Sequence, residues 1–574
     1  MYFPEGEDQA EPRGGSFAWK RGRLFREKPM DLTYYPYPSR RHVVMGRRGA
    51  VATSQPLAAL AGMEMLLKGG NAVDAAIAMA ATLTVVEPTS NGIGGDLFAM
   101  VWDGRLHGLN ASGKSPARLT PDRLPGGRIP ERGWLPVTVP GAVSGWRALH
   151  ERFGRLPFPE VLAPAIRYAE EGFPVGPETA RAWRRAEGIY LPLRGLEFRA
   201  FQEVFFPQGR APRAGEVWRS PGHAKTLREI GESYGESLYR GKLAEAIAGF
   251  SEATGGLLSL EDLKAHEPEW VEALSVNYRG LTVHELPPNG QGIAALLALA
   301  ILEGFDLKPE DPFSYHVQIE AMRLALADAF RYVADSRYLE KPPQALLSPE
   351  YVASRRSLIG ERALPQALPE VRPGGTVYLA AADGELMVSL IQSNYQGFGA
   401  GVLIPQTGIA LQNRGLGFSL EEGHPNRLGP GKKPYHTIIP GFLTQEGKPV
   451  GPFGVMGGFM QPQGHVQVVV ALADFGLNPQ AALDRPRWQV VPGRGGDASR
   501  GEKPGDRVIL EPGIPQATAL VLKDLGHRVA YEVEPGLFGR GQVILRRGQA
   551  QGGHAEEVLV AASDPRAEGL GLAW

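Results

Sequence analysis

Between Pro373 and Ile391 the chain reads PGGTVYLAAADGELMVSLI, and this stretch constrains the fold more than any other. Pro373-Gly374-Gly375 interrupts helix and strand alike. Val377 to Ala382 is an apolar run with the β-branched and aromatic residues of a strand. Asp383-Gly384 is a strong hairpin signal, and Leu386 to Ile391 reads as the returning strand. Thr376 thus stands where a flexible glycine loop becomes a buried hairpin. A chain cut before it would present Thr376 as an N-terminus, its α-amine titrating near ~8 beside the hydroxyl to be deprotonated. Threonine also begins strands for steric reasons alone, so spacing by itself leaves both readings open.

The remaining sequence narrows the function by exclusion. A chain of 574 residues suffices for roughly two to four domains or one large two-layer core. With 43% hydrophobic and 21% charged residues it has the composition of a soluble globular protein. A net charge of -1 offers no field for nucleic acid or an anionic membrane. The absence of cysteine removes disulfides, thiolate catalysis and Cys-ligated metal centres. The 12 histidines show no HxxxH or HExxH spacing, so no metal is expected. Gly92-Ile93-Gly94-Gly95 follows a helical pattern and precedes a strand, Leu97 to Trp102, the reverse of the dinucleotide fingerprint; no cofactor is expected. No apolar run reaches the ~18 residues of a membrane span, and no signal-type apolar segment opens the chain; a cytoplasmic location is the expectation. Residues 1–48 are rich in Lys and Arg and read as a loosely ordered basic extension, not a nucleic-acid arm.

Local signals place several elements. Leu57 to Leu67 has a helical pattern closed by Gly69-Gly70. Asn71 to Asp74 starts a second helix so rich in alanine that it has almost no polar face; Glu87-Pro88 ends it. Ser259 to Asp262 is a capping box. His316 to Asp335 reads as a long helix with His316 at the surface or in a cap. Apolar runs at 281–286, 386–391, 439–443, 465–472, 508–510 and 542–545 read as strands, the run at 465–472 continuing as a helix. The sharpest break is Gly375-Thr376, which divides a part spanning 49–375 from one spanning 376–574.

Taken together, GGNAVDAAIA (69–78), EPTSNGIGGDLF (87–98), PGAVSGW (140–146), LAPAIRYAEEGFPV (162–175), PPNGQG (287–292), GTVYLAAAD (375–383), GGFMQPQGH (457–465), NPQAALDRPRW (478–488) and ASDPR (562–566) resemble one family over residues 47–574. It is the γ-glutamyltranspeptidases, among the N-terminal-nucleophile hydrolases. The resemblance implies an α/β fold, an αββα sandwich with a helical periphery from the 49–375 part. It implies a precursor that cuts itself between Gly375 and Thr376 into two fragments that stay together as a heterodimer, with a dimer of these also open. Thr376 matches the nucleophile, which would form an acyl-enzyme from γ-glutamyl amides such as glutathione and pass it to water or an amine. Gly457 and Gly458 match the glycine pair whose N–H groups bind the oxyanion. Asn394 matches a residue that hydrogen-bonds near the nucleophile, and Gln392 a neighbouring pocket position where the family often has a hydroxyl.

Three departures touch the acyl pocket. The arginine that grips the glutamate α-carboxylate falls at Ser112, with Lys114 the nearest cation; an ammonium lacks the guanidinium fork. The residues that receive the α-amine fall near Arg414 and Gly417. The paired serines are replaced by His436-Thr437, where His436 also has an ordinary structural reading. These changes favour an anionic acyl group without an α-amine, such as a glutaryl or oxalyl-like moiety. A γ-glutamyl amidase is therefore the family-level expectation, an ω-carboxyacyl amide acylase its rival, and an uncut non-catalytic homologue the third reading.

Overall fold

The computed structural model describes residues 41–365, 368, 374–492, 506–551 and 554–574. Pro373 of the glycine loop and residues 1–40 of the basic extension lie outside these. Residues 41–48, expected to be loosely ordered, belong to the fold instead. Val44–Gly46 is an edge strand paired with His554–Ser563, and the Arg41 guanidinium donates to the carbonyls of Asp564, Ala567 and Gly569.

The hairpin forms as its sequence predicts. Gly375–Asp383 pairs antiparallel with Met387–Tyr395, Ala382 facing Met387 across the Asp383-Gly384 turn. It is the centre of a seven-stranded sheet in the order Leu570–Ala573, Gly49–Thr53, Gly375–Asp383, Met387–Tyr395, Asp96–Trp102, Leu106–Ala111, Glu269–Val271. A second seven-stranded sheet runs Val44–Gly46, His554–Ser563, Arg540–Gln551, Lys448–Met456, Gly441–Gln445, Leu281–Glu285, Leu274–Tyr278.

Strand alternation sorts the side chains into three apolar layers. Tyr378, Ala380 and Ala382 meet Phe98, Met100, Phe442 and Ile544 between the sheets. Val377, Leu379 and Ala381 face outward into a helical layer. There, helix Ala72–Val86 lies against the hairpin and against helices Pro56–Leu67 and Phe158–Glu171. All fifteen of its residues are buried, which its alanines permit by allowing close approach on every side. Asn71 caps it, accepting from the N–H groups of Val73 and Asp74, while the Asp74 carboxylate takes the Asn71 N–H. Helices Gly292–Leu302, Pro312–Tyr332 and Met460–Ala473 cover the other sheet. The layers are α, β, β, α.

Two local expectations change. The run at 465–472 is helical throughout, inside Met460–Ala473, because an apolar run this short does not separate a strand from a buried helix. His316 is fully buried, its Nδ1 2.7 Å from His527 Nε2 and its Nε2 2.9 Å from the Gly360 carbonyl. Among the described residues no helix is long and apolar enough to cross a membrane.

Candidate active site

A bulge at the open end of the hairpin shapes the surroundings of Thr376. Gly375 pairs with Tyr395 but Val377 pairs with Gln392, so two residues, Ser393 and Asn394, face Thr376 alone. Such bulges re-aim side chains. Tyr395 closes this one at φ 76°, a left-handed conformation costing about 1–3 kcal/mol for a residue with a side chain. The bulge brings the Ser393 hydroxyl to the Gly375-Thr376 bond. Ser393 Oγ donates to the Gly375 carbonyl at 2.7 Å and lies 3.4 Å from Thr376 Oγ1. It accepts in turn from the Tyr395 N–H at 2.8 Å and from Arg414 Nη2 at 3.0 Å. Two donors behind a hydroxyl strengthen the hydrogen bond it gives. On the other side Gln461 Nε2 donates to Thr376 Oγ1 at 3.4 Å, its Oε1 fixed by the Ile439 N–H. Thr376 itself is fully buried in the uncut chain.

Arg414 has no solvent exposure. Its Nη1 donates to Thr437 Oγ1 at 2.7 Å, and its plane stacks on the Tyr395 ring at 4.4 Å. Among the described residues its Nε has no hydrogen-bond partner. Burial draws its pKa down to about 10, against the pull of Asp96. Asp96 is equally buried and makes no direct contact with Arg414. Its Oδ1 accepts from Gly113 N, Gly141 N and Gln412 Nε2, and its Oδ2 lies 3.0 Å from His436 Nε2. Burial raises the Asp96 carboxyl to about 7, with Arg414 opposing the rise. Burial, then Arg414 and Lys433, hold His436 well below its ordinary value. The Ile438 N–H points at His436 Nδ1, which makes Nε2 the protonated nitrogen that donates to Asp96.

The glycine pair approaches from the second sheet. Gly457 and Gly458 have φ of 140° and 62° and lead into helix Met460–Ala473. A Cβ on Gly374 would meet Gly458 Cα at 3.1 Å, so this turn packs against the backbone just before Gly375. Gln291 Nε2 fixes the turn through the Gly458 carbonyl.

Of the residues singled out from sequence, Gly375, Thr376, Arg414, Thr437 and Gly458 converge here. Asn394 neighbours them, its Nδ2 3.3 Å from the Phe398 carbonyl and its Oδ1 buried with no partner among the described residues. Gln392 points to the helical layer, where its amide is taken by Trp146 Nε1, Asn91 Oδ1 and the Ala80 carbonyl. The hydroxyl beside Thr376 belongs to Ser393. Ser112 is bound to Asn110 Oδ1 and Asn289 Oδ1. Half-buried Lys114 acts by charge on Lys433 and His266. Sequence reasoning missed Ser393, Gln461 and Asp96, although all three lie in or beside the quoted motifs. Among the described residues no group of three or more His, Asp or Glu is arranged to hold a metal ion.

Comparison with known proteins identifies the family and the fold. The family model described as gamma-glutamyltranspeptidase matches residues 58–574. The chain is 37% identical over 544 residues to the glutathione hydrolase-like YwrD proenzyme of Bacillus subtilis, covering 92% of this chain and 99% of that protein. It is 34% identical over 540 residues to the oxamate amidohydrolase proenzyme of Klebsiella pneumoniae, covering 92% and 98%. A crystal structure of cephalosporin acylase from Bacillus halodurans superposes with a TM-score of 0.87 at 52% identity, covering 95% of this chain and 99% of that one. The αββα sandwich is thus that of the N-terminal-nucleophile hydrolases, and the chain is an enzyme of the γ-glutamyltranspeptidase family.

Proposed function

We propose that the chain cuts itself at Gly375-Thr376 and then uses Thr376 as an N-terminal nucleophile on amides whose acyl group ends in a carboxylate. In the first stage Thr376 Oγ1 attacks the Gly375 carbonyl carbon. The carbonyl oxygen takes the negative charge facing the Ser393 hydroxyl, a donor made stronger by Tyr395 N–H and Arg414. The C–N bond breaks, the nitrogen takes the hydroxyl proton, and an ester is left that water hydrolyses. The two fragments remain as a heterodimer. In the second stage the freed amine accepts the Thr376 hydroxyl proton as Oγ1 attacks the substrate amide. The leaving amine departs protonated, and water or an acceptor amine resolves the ester. Gly457 and Gly458 are the candidate oxyanion donors, by their match to the family's pair.

One observation carries the acyl preference. Arg414 stands one hydroxyl from the nucleophile, fully buried, and among the described residues its Nε has no hydrogen-bond partner and no carboxylate pairs with it. Asp96, the carboxylate that acts on Arg414 by charge, is committed to four donors. A substrate carboxylate therefore finds a charge partner there, whereas an α-ammonium meets a like charge. A mismatch of this kind costs a few kcal/mol, about 10²-fold in kcat/KM. The names of the relatives, which include both glutathione hydrolase-like and oxamate amidohydrolase proenzymes, are compatible with either acyl class. γ-Glutamyl amides such as glutathione are the second reading, favoured by two buried acceptors, Asn394 Oδ1 and Gln412 Oε1, that have no hydrogen-bond partner among the described residues. Hydrolysis of a glutaryl anilide beside a γ-glutamyl anilide by processed enzyme decides. The glutaryl compound is expected to be preferred at least tenfold in kcat/KM; a preference for the γ-glutamyl compound overturns the proposal.

A further inference from the structure

Two motifs of the second fragment, DRPRW and ASDPR, are absent from the site just described, yet both bind the backbone at 538–541, beside Gly457. Arg487, in the first of these motifs, is buried and reaches Asp564 in the second. Its Nη2 donates to Asp564 Oδ2 at 2.7 Å, and its Nη1 donates to the carbonyls of Phe538 at 2.9 Å and Gly539 at 3.1 Å. The same carboxylate oxygen accepts the Gly541 N–H at 2.7 Å. Guanidinium and carboxylate thus hold the chain at 538–541 from two sides.

What they hold is the neighbour of Gly457. Strand Lys448–Met456 pairs with Arg540–Gln551, the last pair being Met456 and Arg540. One step further, Gly457 and Gly539 meet backbone to backbone, and a Cβ on Gly457 would lie 3.2 Å from Gly539 Cα. Both have positive φ, 140° and 71°. Glycines in such conformations have the least backbone preference of any residue, so the direction of their N–H groups depends on what braces them.

We infer that Arg487 and Asp564 are positioning residues for the reaction, a buried strut that fixes Gly539 and through it the oxyanion-binding turn at Gly457-Gly458. The inference rests on the oxyanion role proposed for that turn. Such a donor acts on the transition state, so its misplacement lowers kcat and leaves KM nearly unchanged.

The test is steady-state kinetics on processed enzyme, with the concentration of competent sites fixed by active-site titration. Arg487→Lys keeps the charge, but a single ammonium cannot span Asp564 and both carbonyls. Its kcat is expected to fall about 10–100-fold with KM within about twofold, less than the roughly 10²–10³-fold that removal of one oxyanion donor costs. Asp564→Asn, which keeps an acceptor for Gly541 and Arg487, is expected to lose several-fold in kcat in the same pattern, and carries the test alone if Arg487→Lys does not fold. Unchanged kcat per titrated site, with only thermal stability lowered, overturns the strut. Gly457→Ala, run alongside, separates the two ideas. Full turnover in that variant withdraws the oxyanion reading itself, whereas loss there with none in Arg487→Lys withdraws the strut alone.

Discussion

Arg414 and Arg566 are both buried guanidiniums near a buried aspartate, and their surroundings differ in kind. Every nitrogen of Arg566 is used: Nε and Nη2 by Glu511, Nη1 by Asp564 and the Leu483 carbonyl, Nη2 again by the Arg485 carbonyl. Burial alone would raise the Asp564 carboxyl, but Arg487 and Arg566 outweigh it and hold Asp564 below its usual range. Arg414 has two hydroxyls, an aromatic face, an Nε with no partner among the described residues, and an aspartate that does not touch it. Burial there wins over charge, and Asp96 is pushed up. A saturated network of buried charges holds its shape without help. A cation left short of an anion is poised for one that arrives and leaves.

The contrast can be broken at several points. The largest effect is expected from removing what the Arg414 cluster serves. Thr376→Ala should leave one uncut chain of 574 residues by mass spectrometry, with no measurable amidase activity and an unchanged circular dichroism spectrum. Thr376→Ser should retain part of both cutting and turnover, since the hydroxyl survives. Cutting at the usual rate in Thr376→Ala would refute the assignment.

Next comes a paired comparison of the two clusters. Asp564→Ala strands Arg487 in a dry interior and should cost about 3–5 kcal/mol in urea unfolding. Arg414→Leu should cost less than about 1 kcal/mol, because Asp96 can neutralise itself by taking a proton once the cation is gone. The same variant should lose about 10²-fold in kcat/KM on a carboxyacyl anilide. If the stability losses come out in the opposite order, the distinction between the clusters fails.

The smallest effect is a pH dependence. Asp96, with its pKa raised to about 7, is charged above neutrality and protonated below it. Protonation removes the anion that opposes Arg414, so KM for an anionic acyl substrate should fall several-fold from pH 8 to pH 6. In Asp96→Asn that slope should vanish. A KM that rises on acidification in the parent enzyme would contradict the sign.

Legibility followed locality. The Asp383-Gly384 turn, the Asn71 cap and the alanine face of Ala72–Val86 were readable because each depends on neighbours a few residues away. The position of Ser393 was not. A bulge is set by how two strands close around a third element, and a shift of one residue moves the hydroxyl from the position expected at Gln392 to the next one along. Asp96 was invisible for a different reason: its partner His436 is 340 residues away, and a lone acid after a glycine turn has many ordinary explanations. His316 was misjudged for the same cause, its partner lying 211 residues further on. The Arg414 cluster was partly legible because the family resemblance singled out Arg414, His436 and Thr437 together, although nothing in the string of letters indicated that Asp96 would be so thoroughly occupied.

The order of strands carries one more consequence. In each sheet, segments from before and after Gly375 alternate or sit flank to flank: Gly375–Asp383 lies between Gly49–Thr53 and Met387–Tyr395, and Gly441–Gln445 adjoins Leu281–Glu285. A break at Gly375-Thr376 would therefore sever a thread inside woven cloth and not open a seam. Neither piece owns a complete sheet, so the halves should melt together in a single transition and should not reassemble readily when made apart.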